Sequence, residues 1–177
     1  MITIISGTNR PDSRSALVAE TYSKIINDKG ISCKLLKLKD LPSSFFHAAM
    51  YKEEGVSAEM IEIQENYILS AQKLIIIAPE YNGGIPGILK LFIDAMCARK
   101  YKENFSGKKI SLTGVAAGRA GNLRGLEALT GILNYLGATI LPNKLPLSGI
   151  EGFIDDNQIN DDLSKIISGH IDQFLSF

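Results

Sequence analysis

The chain has 177 residues, of which 45% are hydrophobic and 21% charged, with 19 Lys plus Arg balancing 19 Asp plus Glu at a formal net charge of zero. That length and composition fit one globular domain, residues 1–177, which can bury a core without a disulfide or metal staple. The charge balance argues against a basic surface for nucleic acid and against a strongly acidic docking surface.

In chain order, Ile2 to Ile5 is a short β-branched run, and Ser13 to Lys29 carries Leu17, Thr21, Ile25 and Ile26 at helical spacing before Gly30 stops it. Ile31 to Leu38 reads as a second strand and Pro42 to Gly55 as irregular. Ser57 caps a helix with Met60, Ile63 and Tyr67 on one face. Leu74 to Ala78 is fully apolar, as strands buried on both faces of a parallel sheet are. Pro86 opens a third helix running to about Lys100. Lys109 to Ala116 is the fourth strand. Asn122 to Leu136 is a helix with Leu123, Leu126, Leu129, Leu133 and Leu136 facing inward, closed by Gly137. Ala138 to Leu141 is a short fifth strand, and Ile159 to Phe174 the last helix. The longest apolar run, Leu74 to Ala78, is far short of the ~20 residues of a membrane span.

This strand–helix alternation predicts an α/β fold, a doubly wound five-stranded parallel sheet of order 2-1-3-4-5. Ligands of such sheets bind beyond the carboxyl ends of the strands, at the switch point beside strand one. Three loops meet that edge. Ser6 to Ser15 offers backbone N–H groups, the hydroxyls of Thr8, Ser13 and Ser15, the Arg10 guanidinium and a helix N-terminus, a set suited to a phosphate. It is neither a Walker A loop nor a dinucleotide fingerprint, and a hydroxyl-rich cap beside a solvated Arg is the plainer reading. Ala78 to Gly87 has prolines near its ends, paired glycines that let backbone approach a flat ligand, and Tyr81, which can stack. Val115 to Asn122 is made largely of small residues that leave room for a planar ring. Each of the last two loops also reads as an ordinary connection; the three together are more informative than any singly, because a sheet of this order brings them to one edge.

Chemistry-bearing side chains are scarce. Cys33 and Cys97 make neither a Cys-x-x-Cys pair nor a zinc spacing, and no metal site is seen. No secretory signal is read in the opening residues, so a reducing, cytoplasmic setting is expected. His170, between Ile167 and Ile171, reads as structural, and His47 as a candidate for the rim of a substrate site. No triad or acid–base pair stands out, as expected where a cofactor does the chemistry.

Two motifs give the chain a family resemblance. Gly7-Thr-Asn-Arg-Pro-Asp-Ser13 is similar to Gly-Ser-x-Arg-x-x-Ser, and Pro79-Glu-Tyr-Asn-Gly-Gly-Ile-Pro-Gly-Ile-Leu-Lys-Leu-Phe-Ile-Asp94 is similar to Pro-Glu-Tyr-Asn-x-x-x-Pro-Gly-x-Leu-Lys-Asn-x-x-Asp, both motifs of the NAD(P)H-dependent FMN reductases. These are flavodoxin-like relatives of the azo-, quinone- and chromate-reducing enzymes. The resemblance spans Met1 to about Leu147. It implies that Thr8, Arg10, Ser13 and Ser15 hold the FMN phosphate. It also implies that Pro79, Glu80, Tyr81, Asn82 and Gly83 lie against the isoalloxazine, and that Ala117, Gly118 and Gly121 border its other edge. Ser15 stands where the family often has Asn, and Leu91 where Asn is common. The implied activity is hydride transfer from NADPH or NADH through FMN to a small acceptor: a quinone, free flavin, azo compound or metal oxyanion. In that scheme no side chain need act as a catalytic acid or base.

Such enzymes are commonly homodimers or tetramers. The third helix, apolar nearly all round except at Lys90 and Asp94, points the same way, with Phe45, Phe46 and Tyr51 placed to reach a partner's site. Neither nucleic acid nor membrane is an expected partner. A flavodoxin-like electron carrier and a non-catalytic flavin-binding redox sensor remain the alternative readings.

Overall fold

The computed structural model describes residues 1–177. Strands β1 (Ile2–Ser6), β2 (Cys33–Lys37), β3 (Lys73–Pro79) and β4 (Lys109–Val115) pair in parallel in the order β2-β1-β3-β4. The fifth position is divided. β5 (Thr139–Ile140) pairs with the start of β4, and β6 (Leu145–Leu147) pairs with its end, beside Thr113, Gly114 and Val115. The edge strand expected at Ala138 to Leu141 therefore runs in two pieces around the Pro142–Lys144 turn. A small hairpin, β7 (Ile154–Asp155) with β8 (Gln158–Ile159), follows, which the sequence reading did not anticipate.

The helices are α1 (Arg14–Asp28), α2 (Ala58–Ile63), α3 (Gly87–Cys97), α4 (Tyr101–Phe105), α5 (Leu123–Tyr135) and α6 (Asp161–Ser176). The sheet separates two cores, as the period-two alternation of its strands requires. Ile5, Leu74, Ile76 and Leu112 face the side covered by α2 to α5. Ile2, Ile4, Ile75 and Ile77 face α1 and α6, where Val18, Tyr22, Leu163, Ile167 and Ile171 meet them.

Local chemistry sets the helix ends. The Ser57 hydroxyl accepts the Met60 N–H at 3.2 Å, and the Asn160 Oδ1 accepts the Leu163 N–H at 3.1 Å. The helix expected from Pro86 to Lys100 stops at Cys97, because Lys100 takes a left-handed φ of 49° and α4 begins afresh. Two buried amides satisfy the carbonyls freed by that break. Asn104 Nδ2 donates to Met96, Arg99 and Lys100, and Gln64 Nε2 to Met96 and Arg99. Gln64 opens a π-helical turn, Gln64–Leu69, that continues α2. In α5 the inward row is Leu126, Leu129 and Leu133, while Leu123 is 49% exposed. At 100° per residue Leu123 stands about 90° off that row, so it cannot share its burial.

His170 is buried between the sheet and α1. Its Nε2 donates to the Asn143 carbonyl at 2.9 Å, so Nδ1 is unprotonated and accepts the Tyr22 O–H at 2.7 Å. Tyr22 Oη in turn accepts from the Thr113 hydroxyl at 2.8 Å. Burial pushes the Tyr22 phenol up and the His170 imidazole down in pKa, with the Asn143 carbonyl pulling His170 the other way.

Candidate functional site

Beyond the carboxyl ends of β1, β3 and β4 the three loops come together. The first is locked to the sheet by the Gly7 N–H, which donates to the Ile77 carbonyl at 2.8 Å. Thr8 is buried, and its Oγ1 accepts the Arg10 N–H at 3.1 Å and lies 2.6 Å from the Tyr81 hydroxyl. With Tyr81 as donor, both lone pairs of Thr8 are filled and its own proton is free for an anion. Ser13 precedes α1, yet its hydroxyl pairs with Ser15 at 2.5 Å and does not cap the helix. First-turn N–H donors of α1 are thus left without a side-chain partner, at the helix end where partial positive charge collects. Arg10 is exposed beside them.

The second loop turns on Asn82 and Gly83, with φ of 53° and 77°. Tyr81 and Gly84 exchange backbone hydrogen bonds of 3.0 and 3.1 Å across them. Two successive positive φ values between a bonded pair make the tight turn that Asn-Gly favours. Tyr81 does not stand free to stack, since its hydroxyl ties this loop to Thr8 of the first. The third loop is held on the opposite side. Ala116 donates to the Leu147 carbonyl at 2.9 Å, and Gly149 and Ile150 donate back to Gly118 and Ala116 at 3.1 Å each. The end of β6 and the two residues Gly149 and Ile150 beyond it thus brace this loop.

Two adjoining cavities result. One, about 600 Å³, is walled by Arg10 to Ser15, Pro79 to Tyr81, Val115 to Ala117, Ile150 and Glu151. The other, about 410 Å³, is walled by Glu80, Asn82, Gly83 and Ala116 to Ala120, so that Glu80, Ala116 and Ala117 line both. Of the residues singled out in the sequence, Arg10, Ser13, Ser15, Pro79, Glu80, Tyr81, Asn82, Gly83, Ala117 and Gly118 line one or both. Thr8, buried within the first loop, and Gly121, buried against Pro146, line neither cavity. His47 is exposed and lines neither.

The sequence reading missed Arg14 and Glu151. Arg14 meets the Glu151 carboxylate with Nε and Nη2, each at 3.1 Å, and reaches Asn157 with Nη1 at 3.4 Å. Arg14 lay in plain view in the first loop, but Glu151 comes from 137 residues away, and no local pattern announces it. Asn122, read only as a helix start, donates its backbone N–H to Glu80 Oε2 at 3.0 Å.

Comparison with known proteins gives a consistent result. The family model described as NADPH-dependent FMN reductase matches residues 1–151. A quinone reductase of Pseudomonas putida is 24% identical over 99% of this chain and 93% of its own length. An NAD(P)H-dependent FMN reductase of Pseudomonas aeruginosa is 30% identical over 75% of this chain and 68% of its own. Among solved structures, FerB, a flavoenzyme NAD(P)H:(acceptor) oxidoreductase of Paracoccus denitrificans, superposes with a TM-score of 0.78 at 22% identity, over 99% of this chain and 94% of that one.

Proposed function

The chain belongs to the NADPH-dependent FMN reductase family, and from that premise we propose that residues 1–177 act as one flavodoxin-like domain that oxidises NADPH or NADH and reduces a small acceptor through FMN held across the three loops. The observation that carries this reading is the pairing of a cavity walled by Arg10, Ser13 and Ser15 with one walled by Asn82, Gly83 and the small residues Ala116 to Gly118, the two sharing Glu80, Ala116 and Ala117.

The residues fit the cofactor. Its phosphate suits the first loop, where Arg10 supplies a full charge, Ser13 and Ser15 keep one hydroxyl proton between them to donate outward, and Thr8 holds the loop shape while offering its own. Its ring suits the second and third loops. Gly83 and Gly118 leave room there, since a Cβ built at either would have no heavy atom within 4 Å. Gly121 contributes by letting the third loop pass close to Pro146. When bound, FMN supplies the hydride chemistry that no side chain of this site provides. The chain's part is to bind, to orient and to donate hydrogen bonds where negative charge gathers, a task for the N–H groups of Asn82, Gly83 and the Ala117–Gly121 segment.

The finer reading is a cytoplasmic homodimer, or a tetramer of dimers, acting on quinones, flavins, azo compounds or metal oxyanions without nucleic acid or membrane. A reducing compartment suits the free thiols of Cys33 and Cys97. Pairing suits the apolar groove between α3 and α5, lined by Ile93, Cys97, Tyr101, Ile132, Tyr135 and Leu136.

The test is turnover. Protein loaded with FMN should oxidise NADH or NADPH when a quinone is added and no second protein is present. A yellow protein that turns over with none of quinone, azo dye, free flavin or chromate would sink the enzymatic reading and leave the sensor. Turnover that appears only on adding a separate reductase would make it a carrier.

A further inference from the structure

Asn122 is an outlier in three respects. It is 1% exposed, it takes a left-handed φ of 63°, and its Oδ1 is buried with no hydrogen-bond partner. An Asn before a helix ordinarily turns Oδ1 onto a first-turn N–H, yet no such bond forms here. Instead the amide nitrogen points across the site edge and donates to the carbonyls of Ala78 and Pro79, each at 3.0 Å. Carbonyls accept only, so these two partners fix which end of the amide is nitrogen. With the backbone N–H on Glu80 Oε2, one residue makes three bonds to the stretch from Ala78 to Glu80. A residue that forgoes its own helix cap and leaves an oxygen orphaned is held by a constraint elsewhere.

A second position is matched to it. A Cβ at Gly125 would lie 2.1 Å from Asn122 Oδ1, and the three atoms nearest to it all belong to the Asn122 amide. Gly in the first turn of a helix is otherwise unfavourable relative to Ala, so its place here is explained by the room it makes.

We propose that Asn122, seated by Gly125, is a positioning residue that clamps the Pro79–Gly83 loop onto the third loop and thereby sets affinity for the flavin ring rather than for its phosphate. The inference rests on the flavin reading above. It separates the two ends of the ligand: Arg10 and the serines act on the phosphate alone, and Asn122 acts on the ring walls alone.

Riboflavin, which has the ring without the phosphate, is the probe beside FMN, with affinities read from flavin fluorescence and stability from urea unfolding. Asn122→Gly keeps the left-handed backbone and the N–H to Glu80 while deleting the amide. It should weaken riboflavin and FMN by the same factor, roughly ten- to a hundredfold for two lost hydrogen bonds. Arg10→Ala should weaken FMN and leave riboflavin unchanged. Gly125→Ala should reproduce the Asn122→Gly loss by displacing the amide. In the Asn122→Gly background the same Ala should cost no further flavin affinity and should raise the urea midpoint.

Riboflavin affinity unchanged in Asn122→Gly, with only the urea midpoint lowered, would make Asn122 a plain structural residue and overturn the proposal. A loss confined to FMN would overturn it as well. Should Asn122→Gly not fold, Gly125→Ala alone decides: weaker riboflavin binding supports the clamp, and unchanged binding overturns it. Wild-type protein that binds neither flavin would overturn the flavin reading itself, and the clamp with it.

Discussion

At the scale of single residues, hydroxyl and guanidinium groups divide the work of the first loop. Thr8 is engaged by Tyr81 and the Arg10 N–H, and Ser13 by Ser15, so these side chains shape the loop as much as they face a ligand. Of the loop's two arginines, Arg10 has no ion-pair partner, whereas Arg14 is paired with Glu151. Arg10→Ala should therefore weaken FMN binding by about 1.5–3 kcal/mol, as loss of a charged hydrogen bond does. Titration of apo-protein with FMN checks this, and equal affinities would remove Arg10 from the site. A second residue governs pH behaviour. Burial holds the His170 pKa below the ordinary histidine value of about 6.5. As pH falls the unfolded chain takes up this proton first, so stability is full above about pH 6.5 and is lost as pH drops toward the lower folded value. His170→Gln should flatten the fall of the urea midpoint between about pH 7.5 and 5.5, whatever it does to stability at neutral pH. An unchanged slope would place the titration elsewhere.

At the scale of elements, strand ends carry the site and helix starts complete it. The Asn82-Gly83 turn shows why a substitution must be chosen with the backbone in mind. A branched residue at Gly83 is strained by a φ of 77° whether or not a ligand lies near, and a Cβ there would touch nothing within 4 Å. Gly118 is the cleaner probe, because its Cβ position is equally open and its φ is not in the left-handed region. Gly118→Leu should fill the smaller cavity and abolish or greatly weaken flavin binding at an unchanged urea midpoint. Colourless, cooperatively folding protein is the expected result, and a yellow variant with normal turnover would exclude this loop from the ring site. The third helix illustrates the limits of periodicity. Its apolar surround was legible, yet the break at Lys100 depends on Gln64 and Asn104, which come from other turns of chain.

At the scale of the whole molecule, the last helix packs with α1 on one face of the sheet, while α3 shares the other face with α2, α4 and α5. α6 therefore lies away from α3, whose apolar residues are buried or half-buried among its own neighbours, and the groove between α3 and α5 is open, with Tyr135 83% exposed and Tyr101 47% exposed at its rim. Of the aromatic stretch expected to reach a partner, Phe45 is in the core, Phe46 is packed against it, and only Tyr51 is free, at 58% exposure. An apolar groove with two exposed tyrosines is what a second copy would cover. Light scattering of the flavin-bound protein should give two or four times 19.3 kDa, and Tyr135→Arg should shift it toward the single-chain mass. A wild-type mass near 19.3 kDa at micromolar concentration would refute the dimer.

From local pattern alone the parallel sheet, its strand order, the helix cap at Ser57 and the three loops that meet at one edge were legible. These follow from short-range physics: apolar runs bury on both faces, helical spacing makes one inward stripe, and Gly, Pro and Asn mark turns within a few residues. Which side chains meet around the two cavities depends instead on the tertiary structure. Glu151 reaches Arg14 across 137 residues, β6 braces the third loop, Tyr81 closes onto Thr8 across 73, and Asn122 turns from its own helix to the carbonyls of β3. Each is a contact between segments distant in sequence, and its partner is chosen by how the sheet brings strand ends together rather than by any pattern within either segment.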